Sequence, residues 1–313
     1  GGSENATFYS SISNLQQDGV IPFSDWNRTS AKLSGKISAG DKFDLNGSIN
    51  YINSGGNRVP HDRIMERLMY WANTQDVTDY INPDGTQNTY GNTNPLYDAR
   101  FATYEDDVNR VIGNLNFNYR PTDWMSISYR IGTDIYSDQR VEILPGPLGI
   151  AGEVALSSTG FISKDKINSR DINSTLNISL NHTFAEKLDA TLRMGNDIFD
   201  RSRNDLGSTG IDFVIPRFFN LSNTTELQTG EFMTQRRLVG VYGDLMLNYD
   251  DYLYLNITAR NDWTSTLEPE NRSFFCRPPG SRIGTADRDR LVSDPRCLFS
   301  ARRRDDGPRS RYL

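Results

Sequence analysis

Residues 124–136 read WMSISYRIGTDIY, and apolar and polar side chains alternate along the whole stretch. Met125, Ile127 and every second residue after them lie on one side of an extended chain, and the intervening residues lie on the other. A period of two predicts a β-strand with one apolar and one polar face. The stretch has 13 residues. Strands of soluble proteins average ~5–6 residues, whereas a tilted membrane-spanning strand needs ~9–11.

The same alternation recurs in other segments of the chain. Together with residues 124–136 they predict about nine antiparallel strands, at 6–13, 29–38, 42–52, 109–119, 172–184, 187–201, 239–249 and 252–261. The apolar positions of these strands should face lipid, in particular Leu45, Ile49, Ile127, Ile131, Ile178, Leu245 and Leu255.

The predicted connections alternate between short turns and long loops. Short turns fall at 39–41, 120–123, 185–186 and 250–251, and long loops at about 53–107, 138–168 and 202–235. Outer-membrane barrels have short periplasmic turns and long extracellular loops. We therefore predict an all-β fold, a partial antiparallel transmembrane β-barrel. A soluble sandwich shows the same alternation, but strand length and loop size favour the barrel.

The composition fits a barrel with a hydrated lumen and hydrated loops. Only 36% of the residues are hydrophobic, yet the chain has 15 Tyr, 15 Phe and 4 Trp, too many aromatic residues for a solvated tail. No run approaches the ~18 apolar residues of a transmembrane helix. The net charge of −6 argues against a nucleic-acid partner. Because no signal peptide precedes the first strand, we expect the chain to be a fragment of a longer protein.

Nothing in the sequence indicates an enzyme, a metal site or a cofactor. The two histidines, His61 and His182, lie far from each other and from both cysteines, so no zinc or triad pattern exists. Gly55-Gly56 and Gly85 belong to turns and are not part of a phosphate-binding loop.

Four segments resemble the SusC/RagA class of TonB-linked transporters. Residues 241–275 contain a strand, a two-residue turn, a second strand and an Arg-x-Asp-x-Thr-Ser stretch starting at Arg260. Residues 12–37, 80–98 and 211–223 are similar to other parts of the family, including the "QDG" loop at residues 17–19 and the "NPDGT" turn at 82–86.

The resemblance implies a barrel of the bacterial outer membrane that imports oligosaccharides or peptides. It also implies an internal plug, energy from the TonB complex and a SusD-like surface lipoprotein as partner. The chain shows no plug and no TonB box, so we expect these parts elsewhere in the parent protein. The alternatives are a passive porin-like barrel and a soluble β-rich adhesin or binding module.

The first long loop is the candidate site for cargo or for the lid lipoprotein. Residues 62–72 have apolar side chains at helical spacing and predict a short helix. Aromatic faces stack on sugars and pack on peptide side chains, but they also pack loops internally. The candidate residues are Tyr70, Trp71, Tyr80, Tyr90, Tyr97 and Tyr104.

The C-terminal tail differs from the rest of the chain. Residues 1–275 contain 28 Asn, whereas residues 276–313 contain none and have 10 Arg with no Lys. We therefore divide the chain into a barrel segment, residues 1–275, and a tail, residues 276–313, that we expect to be disordered and non-native, as an out-of-frame reading would produce. A functional basic tail is the alternative.

Overall fold

The computed structural model describes residues 1–185, 187–250, 253–276 and 282–285, and its body is one antiparallel sheet. Each strand from β1 to β10 pairs with the next in sequence, and β11 pairs with β9. The strands are β1 (Ala6–Asp18), β2 (Asp25–Ala39), β3 (Phe43–Asn57), β4 (Thr103–Thr122), β5 (Met125–Leu144), β6 (Phe161–Phe184), β7 (Leu188–Phe213), β8 (Thr224–Tyr249), β9 (Leu253–Thr264), β10 (Ser273–Cys276) and β11 (Arg282–Thr285).

The predicted all-β barrel fold is confirmed, and each of the nine predicted strands overlaps one of β1 to β9. Tight turns join the strands at the lower end of the sheet, which we define as the end with the short connections. Gly40, Ala185 and Asp250 adopt φ values of 57°, 50° and 51° in three of these turns. Such left-handed residues let the chain reverse direction within a few residues.

The strands are longer than predicted, and two long loops are correspondingly shorter. β5 continues to Leu144 and β6 begins at Phe161, so about half of the predicted loop 138–168 is strand. β7 and β8 likewise take up most of the predicted loop 202–235. Both faces of these extensions carry polar residues, so the apolar alternation ends while the backbone hydrogen-bond ladder continues.

The first long loop contains two helices, α1 (His61–Met69) and α2 (Pro95–Phe101). Helix α1 confirms the helix predicted at residues 62–72, with different ends. Helix α2 was not predicted, because seven residues are too few for a helical repeat. Its start follows a usual signal: the Asn94 side chain accepts a hydrogen bond of 2.9 Å from the Leu96 amide, and Pro95 opens the helix.

In the described part of the chain, the helices are too short and too polar to span a membrane. Two further segments, Leu221–Asn223 and Pro269–Asn271, form single 3-10 turns.

Most of the C-terminal tail lies outside the described residues. Cys276 ends β10, and β11 pairs with β9 from Leu253 to Asn256. Residues 277–281 and 286–313 are not described. The expected disorder and non-native origin of the tail therefore stay predictions.

Candidate functional site

The two faces of the sheet differ in exposure. Along β6, Lys164, Lys166 and Arg170 are exposed, whereas the alternate Asp165 is half-buried and Ser169 is buried. The face that carries Asp165 and Ser169 also holds a depression of about 430 Å³. This face is therefore concave and forms the lumen wall, while the face that carries the apolar residues is convex and points outward. The depression is lined mainly by Asn46, Asn114, Asn116, Asn118, Ser128, Arg130, Thr175 and Asn177.

The outward face carries an apolar band that begins at the short turns. On β5 it runs from Met125 to Ile135, and on β4 from Tyr119 to Val111. These spans of 11 and 9 residues equal the ~9–11 residues with which a tilted strand crosses a bilayer. The strand pairing places all of the predicted lipid-facing residues on this face: Leu45, Ile49, Ile127, Ile131, Ile178, Leu245 and Leu255.

The upper edge of the band is staggered from strand to strand. It ends at Tyr51 on β3 and at Val239 on β8. The row of paired residues that starts at Tyr51 reaches β8 at Gln235, so the edge moves by 239 − 235 = 4 residues over five strands. Barrel strands are tilted and their register is sheared, which produces such a stagger.

A polar belt borders the upper edge of the band on six strands. It consists of the outward residues two positions above the last apolar one: Asn53, Asn109, Ser137, Arg170, Asp200 and Arg237. Arg237 Nε donates to Asp200 at 2.6 Å, and Arg170 Nη2 lies 3.8 Å from the same carboxylate. The side chain of Asp200 is 9% exposed, so it lies beneath the two arginines.

The lumen wall carries arginine–carboxylate pairs between neighbouring strands. Arg110 Nε donates to Asp134 at 2.8 Å, and Arg201 Nε donates to Asp171 at 2.9 Å. Paired charges of this kind offer hydrogen-bonding groups to a polar solute without a strong net field. The lumen wall therefore has the polar side chains of a water-filled channel.

One lumen cluster depends on a glycine. Arg260 Nη1 donates to Asp197 at 3.0 Å and its guanidinium lies 5.5 Å from the centre of the Tyr242 ring. The Tyr242 hydroxyl donates to Asn177. A Cβ at Gly195 would come within 2.6 Å of the Tyr242 ring, so only glycine permits this arrangement.

A buried ion cluster organises the first long loop. Asp98 on α2 is fully buried and accepts two hydrogen bonds of 2.8 Å from Arg63 on α1, and Arg67 also donates to it. Burial lowers the pKa of the Arg67 guanidinium, against the opposing attraction of Asp98. We call Asp98, Arg63 and Arg67 the Asp98 cluster. It fixes the two helices relative to each other.

The three long loops contact one another and form a cap at the upper end of the sheet. Gln87 of the first loop donates to the Val154 carbonyl of the second. Arg217 of the third loop donates to the Gly85 carbonyl of the first at 2.6 Å. Arg217 thus contacts the "NPDGT" turn at 82–86 itself, Gln87 connects the residue after that turn to the second loop, and Gly85 adopts φ 86° within the turn.

The predicted site aromatics do not form one surface. Trp71 and Tyr97 are each 7% exposed, and their polar atoms donate to the carbonyls of Gln75 and Gly85, both at 3.1 Å. Both side chains therefore pack the interior of the cap.

The other four site residues are more accessible. Tyr80 is half-buried in an edge contact with Phe23, with ring centres 6.1 Å apart, and Tyr104 is half-buried on β4. Tyr70 is 70% and Tyr90 is 44% exposed. Their contact with cargo or with a lid stays a prediction, and these two residues are the best placed for it.

The structure shows an exposed apolar surface on α1 that was not predicted from the sequence. Met65, Leu68 and Met69 are exposed apolar residues on α1, Tyr70 follows directly after the helix, and Met69 is 82% exposed. Ile64, one turn before Leu68, is buried. Apolar residues on two sides of a short amphipathic helix are the signal that could have revealed this surface.

Comparisons with known proteins support the fold. No protein-family model matches the chain. The chain is 22% identical over 289 residues to a TonB-dependent receptor of Formosa agariphila, covering 88% of the chain and 28% of that receptor. It also superimposes on the RagAB peptide transporter with a TM-score of 0.66 and 16% identity, covering 88% of the chain and 32% of the matched one.

The chain has the barrel fold of TonB-dependent receptors. The resemblance to SusC/RagA transporters is confirmed by these matches. The open state of the RagAB peptide importer gives a TM-score of 0.65. The chain spans 28 to 32% of the length of these proteins. The matched proteins are receptors and transporters by name.

Proposed function

We propose that the chain is a segment of a TonB-dependent importer in the bacterial outer membrane that carries peptides or oligosaccharides and works with a SusD-like lipoprotein. The observation that carries this proposal is the staggered apolar band, with a polar lumen wall behind it and a structured cap above it. A bilayer-spanning wall with a hydrated inner face is the structure that an importer needs.

Peptides are the first candidate for the cargo. The lumen wall presents paired arginines and aspartates, such as Arg110 with Asp134, and these groups can bind backbone amides, carboxylates and amines in turn. The matched RagAB protein is a peptide transporter by name. Oligosaccharides remain the second candidate, because exposed Tyr70 and Tyr90 can stack on sugar rings.

The lid proposal rests on the exposed apolar face of α1. Met65, Leu68 and Met69 lie on a helix that the Asp98 cluster holds in place, and Tyr70 follows its last residue. Contiguous exposed apolar residues mark protein–protein contacts, and flexible methionines adapt to a partner surface. The face lies on the cap, where a surface lipoprotein would cover the barrel.

Uptake by cells expressing the full-length parent protein tests the import proposal. We expect uptake of labelled peptides to require both the parent gene and TonB. Uptake that persists without TonB would favour the passive porin-like barrel. A parent protein that is monomeric and soluble without detergent would favour the adhesin alternative.

Co-purification of the surface lipoprotein tests the lid. We expect Met65→Ser combined with Met69→Ser in the parent protein to reduce the recovered lipoprotein about tenfold, because truncation of interface anchors costs ~1–2 kcal/mol or more. Glu66→Gln, at an exposed position of the same helix, is the matched control. Equal recovery from both variants would contradict the lid surface.

A further inference from the structure

The outward face of β6 carries three cations above the apolar band. Arg170 lies in the polar belt, and Lys166 and Lys164 follow four and six residues further up the strand. All three are exposed. We propose that this strip, together with Arg237 of β8, binds the phosphate groups of an anionic glycolipid in the outer leaflet.

The lower part of the site is built by the polar belt. Asp200 lies between Arg170 and Arg237 on the strand that separates them, and it contacts both guanidinium groups at 3.8 and 2.5 Å. The arginine side chains are 51% and 58% exposed. The carboxylate binds the Arg237 guanidinium directly and lies within ion-pair distance of Arg170, and the three groups together carry a net charge of +1. Guanidinium groups bind phosphate oxygens through paired N–H donors.

The depth of these groups matches a lipid headgroup. Arg170 lies two residues above Ile172, the last apolar residue of the β6 band, which is ~7 Å along the strand and ~5 Å in height for a strand tilted by ~45°. The polar headgroup region extends ~5–8 Å beyond the hydrocarbon on each side. Arg170, Asp200 and Arg237 therefore lie at the level of lipid phosphates.

The lysines extend the site above that level. By the same geometry Lys166 and Lys164 lie ~14 and ~19 Å above the hydrocarbon. That height exceeds the thickness of the phospholipid headgroup region and corresponds to the saccharide portion of a glycolipid. A phosphorylated sugar chain can contact both the belt and the lysines at once, which a phospholipid cannot do.

The lysines are available to a ligand. In the described chain neither Lys164 nor Lys166 makes an ion pair or a side-chain hydrogen bond. The outward residues paired with Lys166 are Gln139 and Leu206, and those paired with Lys164 are Val141 and Ser208. The flanking positions are thus neutral. The nearest outward acids stand two strands away: Glu105, Asp107 and Glu231.

Native mass spectrometry of the full-length parent protein with defined lipids tests the site. The probes are lipopolysaccharide with a phosphorylated inner core, the same glycolipid after removal of its phosphates, and phosphatidylglycerol. We expect retention of the phosphorylated glycolipid only. Equal retention of phosphatidylglycerol would overturn the assignment to a glycolipid.

Two variants separate binding from folding. Lys164→Gln with Lys166→Gln removes cations that no partner in the described chain needs, so the barrel should assemble. We expect its affinity for the phosphorylated glycolipid to fall about tenfold or more, as loss of charge-assisted hydrogen bonds implies. Arg170→Gln with Arg237→Gln should lower it further, although it leaves Asp200 unpaired and can impair folding.

Lys187→Gln is the matched control, since Lys187 lies in a short turn at the opposite end of the strands. If the lysine double variant binds the phosphorylated glycolipid as tightly as this control does, the proposal is wrong. The site depends on the outer-membrane location of the barrel but not on its cargo. Normal peptide uptake with unchanged lipid binding in the lysine variant would reject this site alone.

Discussion

The lower and upper halves of the strands share one hydrogen-bonded ladder but have different outward faces. Below the polar belt, β5 presents Met125 to Ile135 at alternate positions, a set that is nearly all apolar. Above the belt, β5 presents Gln139, and β6 presents Asn168, Lys166 and Lys164. The ladder continues without a break across this change. Backbone pairing therefore continues through the upper half, whereas the outward face of the lower half is adapted to lipid.

Accessibility from outside the cell gives the sharpest difference between the two ends. We expect Thr74→Cys, at an exposed site in the cap, to react with a membrane-impermeant maleimide in intact cells. Asp123→Cys, in the short turn between β4 and β5, should react only after the outer membrane is breached. Native cysteines of the parent are replaced in both variants. Labelling in the reverse order would invert the proposed topology.

Loss of the Asp98 cluster should be the largest energetic effect in the upper half. Asp98→Asn removes the charge that two arginines share in a fully buried position. Breaking a buried pair costs ~3–5 kcal/mol, and the partly exposed arginines place this change at the lower end, ~3 kcal/mol.

The loss should be confined to the cap. Hydrogen exchange of the parent protein in detergent should show faster exchange in residues 58–102 and unchanged protection in the strands. Glu66→Gln on the same helix serves as the control and should shift stability by less than ~0.5 kcal/mol. Uniform loss of protection in the strands as well would mean that the cap and the barrel unfold as one unit.

Arginine substitutions test the lower half. Leu115 lies in the middle of the β4 band and is 44% exposed on the outward face, so Leu115→Arg should cost ~2–4 kcal/mol. Asn114→Arg faces the lumen depression and should be tolerated, as should Gln139→Arg on the outward face above the belt. The measurement is the denaturant midpoint of the parent barrel in lipid vesicles. Equal denaturant midpoints for all three variants would contradict the assignment of the apolar band to the lipid-facing surface.

Sequence alternation identified the lower half because lipid demands an apolar residue at every second position. The nine strands and the outward direction of Leu45 and Ile131 followed from that demand. The upper strand extensions were missed because water surrounds both faces and imposes no period. The belt was visible in principle, since Arg170, Asp200 and Arg237 are the first charges on an otherwise apolar face.

The cap was harder to predict than the strands. The NPDGT turn and helix α1 have local signals, and both are present. Burial of Trp71 and Tyr97 depends on contacts among three loops that are distant in sequence, such as that of Arg217 with Gly85. Composition cannot distinguish a buried tyrosine from an exposed one, so the sequence alone cannot separate the buried aromatics from the exposed ones.

The smallest expected effect concerns two similar turns within the cap. The Asp84 carboxylate accepts hydrogen bonds from the Thr86 amide at 2.9 Å and from its hydroxyl at 2.7 Å, and the Asp76 carboxylate does the same with Thr78 at 2.8 and 2.7 Å. The hydroxyl bonds are the main cause that lowers the pKa of both aspartates below the ordinary value. A lowered pKa means that the folded turn favours the charged form, so each carboxylate stabilises its turn above the ordinary pKa and loses that effect as pH falls through the lowered value.

Substitutions in the two turns should differ in their effect on hydrogen exchange, because the threonine of the turn at Asp84 is the more deeply buried of the two. Thr86 is buried and its hydroxyl also accepts from Asn82 at 2.9 Å, whereas Thr78 is exposed. We expect Asp84→Asn to accelerate hydrogen exchange around residues 82–88 modestly at neutral pH, and Asp76→Asn to have less effect. Below the lowered pKa the Asp84→Asn variant and the unmodified protein should exchange alike, since both then carry a neutral side chain. A difference that persists in acid would show that the amide disturbs the turn by its shape, and that the charge of Asp84 is not what stabilises it.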